Sequence, residues 1–383
     1  MARPAPPLWL TRPTRMARLT RRDARIVVAI LAGFLLLSLT ALISAGPPPV
    51  TRDASGGIAK VEDRADVLFY QSVIAGLRGG GDYYHVAADA QRASGYPMRP
   101  FVTMRLPTLA LVQAALPDWA TLFLLYALVA AVLAAWLARL RPLFVRTPPL
   151  LIAVILIGCG SMVYVRADLS PFHEIWAGLL IALSLAWWRP DRWVGAVALG
   201  ACAMVIRETA ALYAIAMFAM ALLGGRRREA IGWCVALALL ALVVAAHIHG
   251  WSQVVRTDDG TGPGWSGMLG FGFFVKTMTL LTALDAIPLA LGALLVALAL
   301  FGWTALPDPV APRAVAVFAA YAALIALFCR TDTYYWGLLV APILLAGLAF
   351  VPDALRDLYR AGTDRRRITI TRVRRTDSPE ITP

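Results

Sequence analysis

Ten apolar runs, separated by short turns, constrain this chain more than any other feature. They lie at about 26–45, 118–138, 148–165, 171–188, 193–206, 208–224, 230–248, 286–303, 314–329 and 334–351. A helix that crosses the hydrocarbon core of a bilayer needs about 20 mostly apolar residues. Reading each run as one crossing predicts an all-α polytopic membrane protein of about ten transmembrane helices, nine to eleven in all. The range reflects two ambiguities. The runs 193–206 and 208–224 are short and read either as a tight hairpin or as one long tilted helix. The stretch 268–284 is apolar but carries Gly270, Gly272 and Lys276; it reads as an interfacial or half-inserted helix, with an eleventh span as the alternative. Composition agrees. The chain is 60% hydrophobic and 15% charged, with mean hydropathy +0.69, where soluble domains are about 45–50% apolar and about 25% charged. A water-soluble globular domain, a disordered chain and a disulfide-stapled secreted module are all excluded.

The net charge of +13 becomes informative once the charges are placed. With the N-terminus in the cytoplasm, 24 of the 36 Arg and Lys residues fall on the inner side, in both tails and in loops such as Arg139–Arg146 and Arg226–Arg228. This follows the positive-inside rule and puts both termini in the cytoplasm. The charge is thus a topology signal, and it gives no reason to expect nucleic acid as a partner. All basic residues but Lys60 and Lys276 are Arg, a skew that fits a GC-rich bacterial genome and hence a bacterial inner membrane. The first run is longer than a signal-peptide core and is followed by Pro47-Pro48-Pro49, so it reads as an uncleaved anchor. The organisation expected is a basic cytoplasmic tail, 1–25, a transmembrane bundle, 26–351, and a second basic tail, 352–383, disordered or lying on anionic lipid. The four cysteines sit in or beside apolar runs without metal-ligand spacing and read as buried thiols.

Outside the bilayer, the one large segment is the first periplasmic loop, 46–117; the loop 249–285 is second. Val67, Tyr70, Ile74 and Leu77 recur at helical spacing after Asp63 and before Gly79-Gly80-Gly81, which predicts an amphipathic helix. Asp82 opens a second one through Arg92, and 104–116 forms a third, too short to span. Such segments suit the lipid headgroup layer. The loop 250–274, rich in Gly and aromatics, reads as a solvated loop or as a flap over a site. No phosphate-binding glycine loop and no zinc motif occurs; His173-Glu174 is followed by Ile-Trp-Ala, which breaks the zinc pattern.

The string Asp66-Val67-Leu68-Phe69-Tyr70, followed by Gly81-Asp82-Tyr83-Tyr84, is similar to the D-x-x-x-Y … G-x-x-Y run in the first outer loop of the GT-C superfamily. These are integral-membrane glycosyltransferases that take sugar from a polyprenyl-phosphate carrier, and the likeness is to their bacterial mannosyltransferase-like members. Arg207-Glu208-Thr209-Ala210 and Tyr334-Tyr335-Trp336 also resemble that group, as does the order of anchor, large loop and bundle over 25–351. The resemblance implies a polyprenyl-phosphate sugar donor, a glycan or glycolipid acceptor and chemistry at the periplasmic face. The loop has no Asp-x-Asp; its nearest acidic pair is Glu62-Asp63, so no motif supports a divalent metal, although the chemistry admits one.

Inverting sugar transfer needs a carboxylate to accept the acceptor hydroxyl's proton and cations to stabilise the leaving phosphate. Asp66 is the candidate base, with Asp63 and Glu62 as alternatives. Tyr70, four residues on, shares its helix face. Arg207 and Arg330, backed by Arg105 and Arg166, are candidates for the phosphate, because a guanidinium fork matches phosphate oxygens. His173, Glu174 and Glu208 are candidate substrate contacts. Several of these have a structural alternative. Asp63 and Asp66 match a capping box; Arg207 and Glu208 match a structural ion pair; Arg330 and Asp332 match interface anchors; His173 and Glu174 match a buried satisfied pair. Competing functions are a lipid or polysaccharide-precursor transporter or flippase, a non-catalytic membrane scaffold, and a membrane acyltransferase with His173 as base.

Overall fold

The computed structural model describes residues 7–46, 51–52, 58–59 and 61–363, with side chains left out for 51–64. Apart from a two-residue antiparallel pairing of 51–52 with 58–59, the architecture is helical. Among the described residues, four helices are long and apolar enough to cross a membrane: α1 (Arg21–Ser38, continued by a 3₁₀ turn to Leu42), α5 (Asp118–Leu140), α10 (Arg227–Ser252) and α13 (Val310–Phe328). The outward side of α10 shows why such helices need lipid: Ile231, Val235, Leu239 and Leu242 form an exposed apolar stripe.

The count of full-length crossings therefore departs from ten. The other apolar runs form shorter helices: α6 (Thr147–Gly160), α7 (His173–Trp187), α8 (Val194–Ile206), α9 (Ala211–Leu223) and α12 (Leu289–Ala305). A helix of 13 residues such as α8 or α9 rises only about 20 Å against a core of about 30 Å. The ambiguity at 193–224 resolves into two helices, broken by a 3₁₀ turn at Glu208–Ala210. The last apolar run is not a regular span. A 3₁₀ segment, Thr331–Leu339, bends by 60° into the stretch Ala341–Thr363, and nearly all of 334–351 is buried. A segment apolar on all sides belongs inside a bundle. Small residues let it in: a Cβ on Gly302 would strike the Gly347 carbonyl, so the α12 backbone packs directly on this segment.

Helix α11 (Gly270–Leu280) also differs from the interfacial helix expected at 268–284. Seven of its eleven residues are buried, and it packs against α12, α13 and the end of α1. It is covered by protein on most sides, and it is too short to span.

The loops sort to two ends of the long helices. At one end, Arg139 of α5 meets Asp308 at 2.7 Å, Arg313 of α13 meets Glu229 of α10 at 3.2 Å, and Trp188 donates to Glu229 at 2.9 Å. The N-terminal segment is docked here: the backbone N–H groups of Leu8, Trp9 and Leu10 donate to Asp353 at 2.6, 2.8 and 2.9 Å. Residues expected in the two tails are thus partly folded, with 352–363 inside helix α15 (Val351–Thr363); the rest of the C-terminal tail, 364–383, lies outside the described residues.

At the opposite end, the first large loop folds into three helices as the sequence predicts: α2 (Val61–Arg78), α3 (Tyr83–Ala93) and α4 (Thr108–Ala115). Asp82 caps α3, its Oδ1 accepting from the N–H groups of Tyr84 and His85 at 3.0 and 3.2 Å. These helices pack on one another and on α10 through Val73, Tyr83, Met98, Met104 and Val254. They form a folded cap with its own small core, not separate segments in the headgroup layer. Because α2 starts at Val61, Asp63 and Asp66 lie inside the helix, and Asp63 is not at the N-cap position that their spacing suggested.

Candidate functional site

Beneath the cap lies a cavity of about 480 Å³. Asp66 and Tyr70 reach it from α2, Arg105 from the loop before α4, Arg207 and Glu208 from the break between α8 and α9, and Arg330 from the turn after α13. Six candidate residues thus come from four separate segments to one wall.

Their pairing differs residue by residue. Tyr96 donates a short hydrogen bond to Asp66, and both line the cavity. Arg105 Nε donates to the Tyr70 hydroxyl at 3.2 Å, and its Nη2 to the Tyr335 hydroxyl at 3.4 Å. Burial raises the Tyr70 pKa, although Arg105 opposes the shift. The phenol therefore stays a neutral O–H group beside the guanidinium. Arg207 is the most enclosed cation, 1% exposed. It lies between two carboxylates, Glu174 at 2.6 Å and Glu208 in a short contact. The Glu174 contact is an ion pair without an aligned hydrogen bond: both Glu174 carboxylate oxygens lack a hydrogen-bond partner. Arg330 forms a short pair with Asp332, each about a third exposed.

These placements bear on two expectations. Arg207 was expected to hold phosphate, but two carboxylates already offset its charge, which weakens its pull on an anion. Arg166 does not line the cavity. It is exposed at the surface and paired with Asp168 at 2.6 Å. His173 and Glu174 lie behind the wall, not in it. His173 is 3% exposed and packs against the Tyr70 ring at 5.2 Å. It lines a separate small pocket of about 20 Å³ with Gln91 and Arg105, and neither ring nitrogen has a hydrogen-bond partner. The side chains of Glu62 and Asp63 lie outside the described residues.

Part of the loop 250–274, read from the sequence as a solvated loop or a flap over a site, lines the cavity, but what fastens it was not read. Residues 262–265 cover the cavity, with Gly264 in a left-handed turn (φ +81°) that delivers Trp265. This segment is pinned. Arg92 grips Asp259 through two hydrogen bonds of 2.9 Å, and Gly262 N–H donates to the Arg99 carbonyl at 2.7 Å. The Arg92 hydrogen bonds hold the Asp259 carboxyl down at about 2. The stretch is largely exposed, as a solvated loop is, but it is fastened at Asp259 and Gly262. Asp259 was visible in the sequence only as part of an acidic turn; its partner is 167 residues away.

Among the described residues, no group of three His, Cys, Asp or Glu is placed to hold a metal ion. What the arrangement offers is a carboxylate beside a phenol, a guanidinium hydrogen-bonded to two phenols with Glu174 and Glu208 farther off, and two further guanidiniums paired directly with acids. Comparison with family models, with curated proteins and with solved structures finds no match to this chain.

Proposed function

We propose that this membrane protein is a glycosyltransferase of the GT-C type, moving a sugar from a polyprenyl-phosphate carrier to a glycan or glycolipid acceptor. The observation that carries the reading is the meeting of Asp66, Tyr70, Arg105, Arg207, Glu208 and Arg330 at one cavity beneath the first-loop cap. The basic loops gather at the opposite end, through Arg139, Arg226 and Arg313. By the positive-inside rule the cavity faces the periplasm of a bacterial inner membrane, with ten apolar segments crossing in full or in part.

The step is a displacement at the anomeric carbon. The acceptor hydroxyl oxygen attacks that carbon while its proton passes to Asp66. The carbon–oxygen bond to phosphate breaks, and the electron pair leaves with the polyprenyl phosphate. Arg105 is the phosphate contact, because its fork is held by two phenols and by no carboxylate at hydrogen-bond distance. Tyr96 orients Asp66. Arg207, held by Glu174 and Glu208, sets the shape of the floor.

Transport of a lipid-linked precursor is the second reading, favoured by the 60° break beside the cavity, since discontinuous helices at binding sites are common in transporters. His173 as an acyltransferase base has no such support, because it does not line the cavity. Reconstituted vesicles separate the two readings. The transferase reading expects polyprenyl phosphate to be released from a polyprenyl-phosphate hexose, and Asp66→Asn to lower that turnover about 10²–10⁴-fold while donor binding persists. Intact donor crossing the bilayer without cleavage, unaffected by the substitution, contradicts it.

A further inference from the structure

We infer that the wall formed by Trp265, Asp332, Arg330 and Trp336 is a subsite for a neutral, polyhydroxylated sugar ring. This rests on the transferase reading and deepens it, since it places the ring relative to the phosphate at Arg105. Three observations carry it.

The wall is electrically balanced. Arg330 and Asp332 pair with each other, so neither a free anion nor a free cation gains much there. Polar atoms just behind the surface also lack partners: the Trp336 Nε1–H and Asp332 Oδ1 on this wall, and Glu208 Oε2 and Thr209 Oγ1 elsewhere in the lining, are closed to water in the present arrangement and make no hydrogen bond. All four residues line the cavity. Buried polar groups in this state are few in folded proteins. A carboxylate oxygen only accepts and an indole N–H only donates. One ligand group that satisfies both is the hydroxyl, and a sugar ring presents several at fixed spacing. Finally, the roof supplies Trp265, pinned through the 260–262 backbone, as an aromatic face for the C–H side of such a ring.

The Arg330–Asp332 pair is the part that can turn toward a ligand, because both side chains remain about a third exposed. Turning brings Asp332 Oδ1 and the guanidinium to adjacent hydroxyls, a fork that suits a vicinal diol.

The test is saturation-transfer NMR on the full chain in nanodiscs, with methyl hexopyranosides and methyl pentofuranosides as probes. Transfer to the ring C–H protons of at least one glycoside is expected. It should weaken about tenfold in Trp265→Ala and in Asp332→Asn, and persist in Trp265→Phe, which keeps an aromatic face. Adding a polyprenyl-phosphate hexose distinguishes the source of the ring: loss of the glycoside signal means the donor's own sugar occupies the wall, and retention means the acceptor's sugar does. Absence of transfer to any glycoside, or equal transfer in the Trp265→Ala and Asp332→Asn proteins, overturns the inference. Asp66→Asn should retain glycoside transfer; if it also retains turnover, the transferase reading fails while the subsite stands.

Discussion

The two ends of the molecule use the same side chains differently. At the basic end, carboxylates are closed in by donors. Glu229 faces Arg226, Arg313 and the Trp188 indole, and Asp353 collects three backbone N–H groups. Trp188 is also flanked by cations, with the Arg313 guanidinium 3.8 Å and the Arg226 guanidinium 4.8 Å from its ring centre. At the cavity end, acids and guanidiniums gather just as densely, yet carboxylate oxygens of Glu174, Glu208 and Asp332 and the Trp336 indole lack hydrogen-bond partners, whereas at the basic end the unmatched atoms are guanidinium nitrogens, the Nε of Arg139, Arg226 and Arg313. Buried acceptors and indole donors without partners call for an explanation, and a ligand that completes them is one. The basic end is thus a fastening between N-terminus, loops and α15, and under the proposed transferase reading the cavity end is where the chemistry takes place.

This contrast breaks most readily at Glu229. Its replacement by Ala leaves Arg313, 3% exposed, with no carboxylate beside it. Removing one member of a buried pair costs about 3–5 kcal/mol. Thermal unfolding followed by tryptophan fluorescence should show a large fall in melting temperature, with turnover per folded molecule unchanged. A normal melting temperature would show that this end is not the fastening.

Arg105→Lys should act the other way. It keeps the charge but loses the fork that meets Tyr70 and Tyr335. Hydrogen bonds to charged groups are worth about 1.5–3 kcal/mol, so donor affinity should fall about ten- to a hundredfold with little change in melting temperature. A loss of stability without a loss of affinity would move Arg105 into the fastening class.

Arg166→Ala sharpens the boundary of the site. An exposed pair contributes about 0–1 kcal/mol, and Arg166 lies outside the cavity, so donor affinity should stay at the parent value in a lipid-transfer assay. Weakened donor binding would extend the site toward α6.

The smallest expected effect concerns pH. The Asp259 pKa lies below its ordinary value, so the Arg92–Asp259 clamp contributes stability above the ordinary aspartate range and loses it as pH falls toward about 2. Hydrogen exchange in 256–264 should therefore be equally protected at pH 7 and pH 5. Release of this stretch between those values would remove the clamp as its cause.

The sequence made the helical membrane class, the apolar segments and the three cap helices legible, because hydropathy and cap residues are local. Asp82 announced α3 through its own side chain. Asp66, Tyr70, Arg105, Arg207, Glu208 and Arg330 were named as candidates, but only tertiary packing shows that they share a cavity while Arg166 does not. The lengths of the crossings were not legible, since apolarity records burial without telling lipid from protein. The run 334–351 is the clearest case, reading as a span while lying broken and buried at the centre. The fastening of the loop over the cavity was hidden because it joins Arg92 to the distant Asp259, and the charge balance was hidden because Glu174 meets Arg207 only through the packing of α7 on α8.

The most direct measurement is a structure of the full chain in lipid with a polyprenyl-phosphate sugar bound. The account expects the phosphate within hydrogen-bond distance of Arg105 and the anomeric carbon on the side facing Asp66. A headgroup seated at the opposite end, beside Arg139 and Asp308, or held by Arg166 outside the cavity, would contradict it.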